Sequence, residues 1–328
     1  MDAIAGLLDG PRAHEAFLLR CTLDPPWAIR VQDEAPLTVV AMVRGEAWIA
    51  PDGGERTLLY PGDVAIVLGP EPYTMADEPT TPPQVIVHSG QECRAPDGQE
   101  LKMIGELGVR TWGNTEDGAT VMLVGTYELE GEVSRRLLRA LPTVLVLRDD
   151  EWDCPVIPLL AEEIVKDEPG QEAVLDRLLD LLLIAVLRAW FARPDADTPG
   201  WYRAYDDPIV GHALRLIHHN PAEPWTVASL AREAGVSRAA LARRFHELVG
   251  EPPVSFLTGW RIALAADLLL EPGATIGSVA HRVGYGSPFA LSTAFKRVRG
   301  ISPQQHREAV RRGGSPEVRG RSAPALPG

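Results

Sequence analysis

Guanidinium groups at Arg238, Arg243 and Arg244, with the Lys296 and Arg297 pair some fifty residues later, are the side chains of this sequence best suited to hold a polyanion. Arginine presents a planar fork of donors that can meet guanine O6 and N7, or two phosphate oxygens, at once, whereas lysine supplies a point charge. Residues 208–312 hold 13 Lys and Arg against 7 Asp and Glu, while residues 1–207 hold 17 against 37. The net charge of −13 therefore conceals a basic C-terminal segment. Such a division confines polyanion binding to the C-terminal part, although two solvated surfaces of opposite sign would give the same count.

Other chemistries have fewer candidates. Cys21, Cys93 and Cys154 are far apart and odd in number, which excludes a disulfide framework and a cysteine zinc site. A metal-dependent enzyme built on a barrel needs several histidines and a carboxylate, and the N-terminal half offers only His14 and His88. No catalytic residue, metal ligand or cofactor is assigned, and no enzyme activity is expected. The segment 1–10 lacks a basic, apolar leader, and the longest apolar run, 181–187, is too short to span a bilayer. A cytoplasmic protein without a membrane partner is the expectation.

Two kinds of element must position these residues. Residues 28–147 contain short β-rich runs at 37–43, 48–49, 57–59, 64–68, 85–88 and 121–127, broken by turns such as Pro51-Asp52-Gly53-Gly54 and Pro61-Gly62-Asp63. Many short strands at close spacing predict a sandwich or small barrel. After Pro155 the period becomes helical, at 159–165 and 173–192. Leu175, Leu178, Leu179, Leu182, Leu183, Val186 and Leu187 form a broad apolar face that could lie on the barrel or pair with its twin in a second subunit. Residues 193–207, with prolines, glycines and aspartates, read as a linker, and 313–328 as a disordered tail. From Ile209 onward the pattern is helical with short breaks.

Within the helical part a unit repeats. Leu230, Ala231, Gly235, Ser237, Leu241, Phe245, Gly250 and Pro253 are matched by Val279, Ala280, Gly284, Ser287, Leu291, Phe295, Gly300 and Pro303. The offset is 49 residues before the turn and 50 after it, so the second turn is one residue longer. The small alanine permits close helix crossing. The glycine permits a left-handed C-terminus, the serine N-caps the next helix, and the Leu/Phe pair at i,i+4 anchors that helix inward. Together these describe a tandem helix-turn-helix, whose second helix is the one that enters a major groove.

Trp225-Thr226-Val227, Trp260-Arg261 through Leu268-Leu269, Gly284-Tyr285, and Phe295-Lys296-Arg297 with Gly300 and Ser302-Pro303 resemble AraC/XylS-type regulators over about residues 208–310. Trp27-Ala28, Pro61-Gly62-Asp63-Val64, Leu141-Pro142 and Leu187-Arg188-Ala189-Trp190 are similar to the cupin-like sensor domain of one branch of that family. The combined reading is an α+β chain. A cupin-like β-barrel with trailing helices, serving sensing and dimerisation, occupies 1–192, a linker 193–207, and an all-α domain of two helix-turn-helix units 208–312. The resemblance implies a homodimeric regulator that binds double-stranded DNA, answers a ligand or stress, and works with RNA polymerase.

With Leu241 and Phe245 inward, the first reading helix exposes Arg238, Ala239, Ala242 and Arg243. The family pattern makes Ala239, Ala242 and Arg243 base readers, Arg243 facing guanine, while Arg244 points sideways to phosphate or solvent. The second helix exposes Phe289, Ser292, Thr293 and Lys296. Thr293 stands where the family often has arginine, so Lys296 and Arg297 are expected on phosphates and the first unit is expected to supply most specificity. For the signal, one reading is a small molecule in a pocket lined by Val39, Trp48 and Met122. The alternative is oxidation of Cys21, placed just before the first strand beside Arg20, with Cys93 as partner if folding brings it near. In metal-binding cupins a histidine often stands near the position of Tyr73, so a metal-dependent enzyme is the remote third reading.

Overall fold

The computed structural model describes residues 16–99, 101, 104–127, 141–152, 154–193 and 200–311. His14, the N-terminal ten residues and the tail from Gly313 lie outside that set. The described chain forms two compact units, one before and one after residue 197.

The first unit carries β1 (Ala16–Leu23), β2 (Ala28–Gln32), β3 (Leu37–Arg44), β4 (Ala47–Pro51), β5 (Thr57–Leu59), β6 (Val64–Leu68) and β7 (Tyr73–Ala76). It continues with β8 (Val85–His88), β9 (Glu92–Arg94), β10 (Gly105–Gly108), β11 (Thr111–Gly113), β12 (Thr120–Tyr127) and β13 (Val144–Leu147). A seven-stranded sheet has the order β10-β11-β1-β12-β3-β6-β13 and a six-stranded sheet the order β5-β4-β7-β2-β8-β9. The expected closed barrel is thus corrected to two separate sheets. Among the described residues each ends in strands of three or four residues that do not hydrogen-bond across to the other sheet.

Alternating side chains fill the space between the sheets: Cys21 and Leu23 from β1, Val40 and Met42 from β3, Ile49 from β4, Met75 from β7 and Met122 from β12. Cys21 was expected just ahead of the first strand. It lies inside β1, paired with Met122 and Trp112 on its two sides.

The turn at Pro61-Gly62-Asp63 has a structural purpose. The Asp63 carboxylate is 3% exposed and accepts from the Tyr60 amide at 2.9 Å, the Asp149 amide at 3.0 Å and Arg148 Nη1 at 2.6 Å. Arg148 Nη1 also donates to the Leu58 carbonyl at 2.7 Å, so one ion pair pins the β5–β6 turn to the chain leaving β13.

Helices α1 (Val156–Glu163) and α2 (Gln171–Ala192) follow. Leu175, Leu179, Leu182, Leu183, Val186 and Leu187 are buried within the unit, so the leucine face packs on its own fold. On β12, a Cβ at Gly125 would stand 2.6 Å from Leu179 Cδ1, so any larger residue there would have to displace the Leu179 side chain that α2 packs on the sheet.

The second unit contains α3 (Gly200–Arg203), α4 (Val210–His219), α5 (Val227–Glu233), α6 (Arg238–Val249), α7 (Pro253–Leu268), α8 (Ile276–Arg282), α9 (Pro288–Arg299) and α10 (Pro303–Arg311). Part of the stretch read as linker belongs to this unit. Trp201 and Ala204 are buried, because an aromatic in a Pro/Gly-rich run still gains from burial when a helix face is available. Residues 194–199 are outside the described set.

Candidate nucleic-acid interface and sensor cavity

The duplicated sequence produces duplicated geometry. Gly235 (φ 67°) and Gly284 (φ 79°) are left-handed and close the first helix of each unit. The amides of Val236 and Tyr285 then bond back to Ala231 O at 2.9 Å and Ala280 O at 2.8 Å. Ser237 and Ser287 accept the amides of Ala240 and Ala290, each at 3.2 Å, and so cap α6 and α9. Leu241, Phe245, Leu291 and Phe295 are all fully buried. Their burial turns the opposite faces of α6 and α9 to solvent. Reasoning from sequence missed a second pair of caps, Thr226 with Ser229 and Thr275 with Ser278, in which side chain and backbone bond reciprocally at the start of α5 and α8. A Thr-x-x-Ser spacing before each apolar run was the available signal.

The two units are held together through α7. Arg261 Nε donates to Pro221 O and Nη2 to Glu223 O, both at 2.6 Å, and the guanidinium lies 5.8 Å from the Tyr285 ring centroid. Burial lowers its pKa from the ordinary arginine value, with Tyr285 acting the other way. A Cβ on Gly284 would meet Ala222 O at 2.5 Å, so the second turn abuts the same loop. From α10, Arg307 caps the end of α7 through Leu269 O at 3.0 Å and Ala274 O at 2.8 Å.

On α6, Arg238, Ala239 and Arg243 are exposed and Ala242 is half-buried. Arg243 is well exposed, and its partner Glu247 is distant at 3.7 Å, a weak i,i+4 pair that a stronger acceptor can displace. Arg244 differs. Its Nε and Nη2 reach Asp207 Oδ2 at 2.8 and 2.5 Å, and Asp207 also accepts the amides of Ile209 and Val210 at the start of α4. The Arg244 hydrogen bond, with those amides, holds the Asp207 carboxyl below the usual carboxylate range. Arg244 therefore ties α6 to the segment before α4, a tie that sequence spacing could not show. On α9, Phe289, Thr293, Lys296 and Arg297 are exposed and Ser292 is half-buried.

The first unit holds a partly open cavity of about 540 Å³ lined by strands of both sheets. Its walls are mainly apolar (Phe17, Leu19, Ile29, Met75, Trp112, Met122 and Val124), with Asp33, Gln91, Glu106 and Arg110 among the polar members. Met122 lines it as expected; Val39 and Trp48 do not. They alternate with Val40 and Ile49, which do face the core, so each points to the opposite side of its sheet. Cys21 on β1 and Cys93 on β9 both line the cavity, one from each sheet. Burial pushes the Cys21 thiol up to about 12, with the neighbouring Cys93 adding to the rise. Tyr73 also lines the cavity, its hydroxyl likewise raised by burial. Among the described residues no group of three His, Cys, Asp or Glu could hold a metal ion, and His88 instead meets Gln32 Nε2 at 3.3 Å. No described helix is long and apolar enough to cross a membrane.

Comparison with known proteins agrees with both halves. A cupin family model matches residues 2–192, and a helix-turn-helix domain model matches 230–309. A putative AraC-like transcription regulator of Streptomyces lividans is 32% identical over 290 residues, spanning 86% of this chain and 90% of that protein. The chain belongs to the AraC family of DNA-binding transcriptional regulators.

Other relatives include the HTH-type transcriptional regulator AlkR of Acinetobacter baylyi, 27% identical over 314 residues, which cover 94% of this chain and 99% of that one. Among solved structures, the DNA-binding domain of AdpA in complex with a target DNA is 33% identical, covering 33% of this chain and 96% of that chain with a TM-score of 0.31. In this AraC-family chain the structure brings Arg238, Ala239 and Arg243 to one exposed face of α6, and Phe289, Thr293 and Lys296 to one exposed face of α9. Arg244, exposed on the same helix, is paired with Asp207.

Proposed function

We propose that the N-terminal unit senses a small apolar molecule in the cavity between its sheets, and that the C-terminal unit reads operator DNA through the outer faces of α6 and α9. The cavity carries the sensing half of this reading. Its volume falls in the range of small-molecule sites, and its mainly apolar wall carries a few polar groups that can orient a ligand. For the reading half, Arg243 is the guanine contact, Ala239 and Ala242 leave room for close approach, and Lys296 and Arg297 hold phosphates. Dimerisation through the N-terminal unit would use what α1, α2 and the connection between them leave outside: Leu159, Val165, Val174 and Leu181 are each between 45% and 50% exposed. RNA polymerase is the partner that activation or repression would require.

Base reading by Arg243 has a defined consequence. Arg243→Ala should relax preference at one base pair by about 1–3 kcal/mol, roughly 5- to 150-fold. Gel shifts on a panel of duplexes altered one pair at a time would read this. An unchanged preference at every pair would remove Arg243 from the readers.

The oxidation alternative draws on Cys21 and Cys93 both lining the cavity. Against it stands burial, which pushes the Cys21 thiol up to about 12 and disfavours the thiolate that oxidation needs. The ligand reading predicts that a Cys21→Ser variant keeps its induction in a reporter strain. Loss of response to every inducer in that variant, with its melting temperature unchanged, would favour the thiol instead.

A further inference from the structure

The second reading helix carries an apolar side chain where solvent exposure gives it nothing to do. Phe289 is 80% exposed, while every other exposed large apolar residue of the described chain is at 50% or less. An aromatic ring held in water at that level is a standing cost unless a partner covers it. Phe289 stands one residue inside the N-terminus of α9, behind the Ser287 cap and Pro288, so the position of the ring's backbone is fixed. The internal repeat aligns Phe289 with Ala239, Ser292 with Ala242 and Thr293 with Arg243. The two helices are thus built alike but offer opposite chemistry at matched places. The first presents a long cation between small residues, the second a ring beside two short hydroxyl side chains. Lys296 and Arg297, about two turns beyond Phe289 on α9, supply the positive charge that draws this face to phosphate.

We infer that Phe289 is a specificity-determining residue that packs on thymine 5-methyl groups in the major groove, so that the second unit reads A·T pairs by apolar contact while the first reads G·C through Arg243. A thymine methyl is the only apolar group a base pair displays in that groove, and phenylalanine is among the side chains suited to it. Short Ser292 and Thr293 let α9 approach closely enough for the ring to reach. The inference rests on the reading of α9 as a DNA-facing helix and adds the base class that it selects.

The test starts from duplexes enriched from a random pool by the full-length protein. Each thymine of the best duplex is then replaced singly by deoxyuridine, which removes the methyl and leaves base pairing intact. Wild type should lose about fourfold in affinity per methyl covered, at one or two positions in the half-site away from the guanine that Arg243 selects. Phe289→Ala should lose a similar factor on the thymine duplex and become indifferent to deoxyuridine at those positions, and Phe289→Leu should retain part of the effect. Enrichment without a preferred thymine in that half-site, a wild type indifferent to every deoxyuridine, or a Phe289→Ala variant as sensitive as wild type would each overturn the inference. In those cases an Arg243-dependent guanine preference would leave the DNA-reading assignment standing, whereas failure to enrich any duplex at low salt would overturn both. Since Phe289 is exposed, its variants should melt at the wild-type temperature.

Discussion

Phe295→Ala should dismantle the second helix-turn-helix. Phe295 has no exposed surface and sits in a cluster with Ile262, Ala265, Ala266, Leu269, Val279, Ala280, Val283 and Leu291. Removing a ring from such a site costs about 3–5 kcal/mol, partly transfer and partly the cavity left behind. A domain with a total stability of roughly 5–15 kcal/mol does not absorb that loss easily. Calorimetry of the full chain should show the transition of the C-terminal unit shifted down strongly, with the N-terminal transition in place. Affinity for an enriched duplex should fall by more than tenfold, because this core holds α9 in position. Phe289→Ala, six residues earlier on the same helix, is the control: it should change base preference and leave melting alone. A C-terminal transition within a few degrees of wild type for Phe295→Ala would contradict the packing described for α8 to α10.

Asp63→Ala should weaken the other unit nearly as much. The carboxylate satisfies two backbone amides, of Tyr60 and Asp149, and the guanidinium of Arg148. Both hydrogen bonds are part-buried and both residues are otherwise exposed, so each amide that loses this acceptor costs toward the lower end of about 1–3 kcal/mol. Arg148 is 35% exposed on its side chain and can regain water, so its loss of a partner counts for less than a fully buried charge would. A total of about 3 kcal/mol is expected, read as a lower denaturant midpoint for the N-terminal unit. Asp63→Asn keeps one acceptor oxygen and should fall between the two. If Asp63→Ala costs under about 1 kcal/mol, the turn is held by something other than this carboxylate. DNA affinity of a folded fraction should be unchanged, since none of these partners lies in the C-terminal unit.

Both predictions concern residues that sequence singled out for different reasons. Phe295 was legible as an inward anchor because a helix repeats every 3.6 residues, and the i,i+4 pair with Leu291 leaves one side available. Asp63 was legible only as part of a family-like turn. Its partner Arg148 lies 85 residues away, and no local pattern announces a contact of that kind. The same limit explains Arg244. Its position on α6 is compatible with phosphate, and only the fold shows Asp207 occupying the guanidinium. Val39 and Trp48 were assigned to the cavity by composition, whereas the strand's two-residue period, once anchored by its neighbours, sends both elsewhere.

Local chemistry decided much in advance: the helical C-terminal region, its doubled turn, the caps at Ser237 and Ser287, the inward and outward faces of α6 and α9, and the β-rich character of the first unit. Those features depend on residues within a turn or two of one another, whose preferences survive in any context. What tertiary structure alone decided was the separation of the strands into two sheets, the burial of the leucine face within its own unit, the cavity that Cys21, Cys93, Arg110 and Trp112 line together, and the Arg261 tie between the two reading units. These depend on pairings between residues distant along the chain, whose energy appears only after loop closure and whose partners no short window contains.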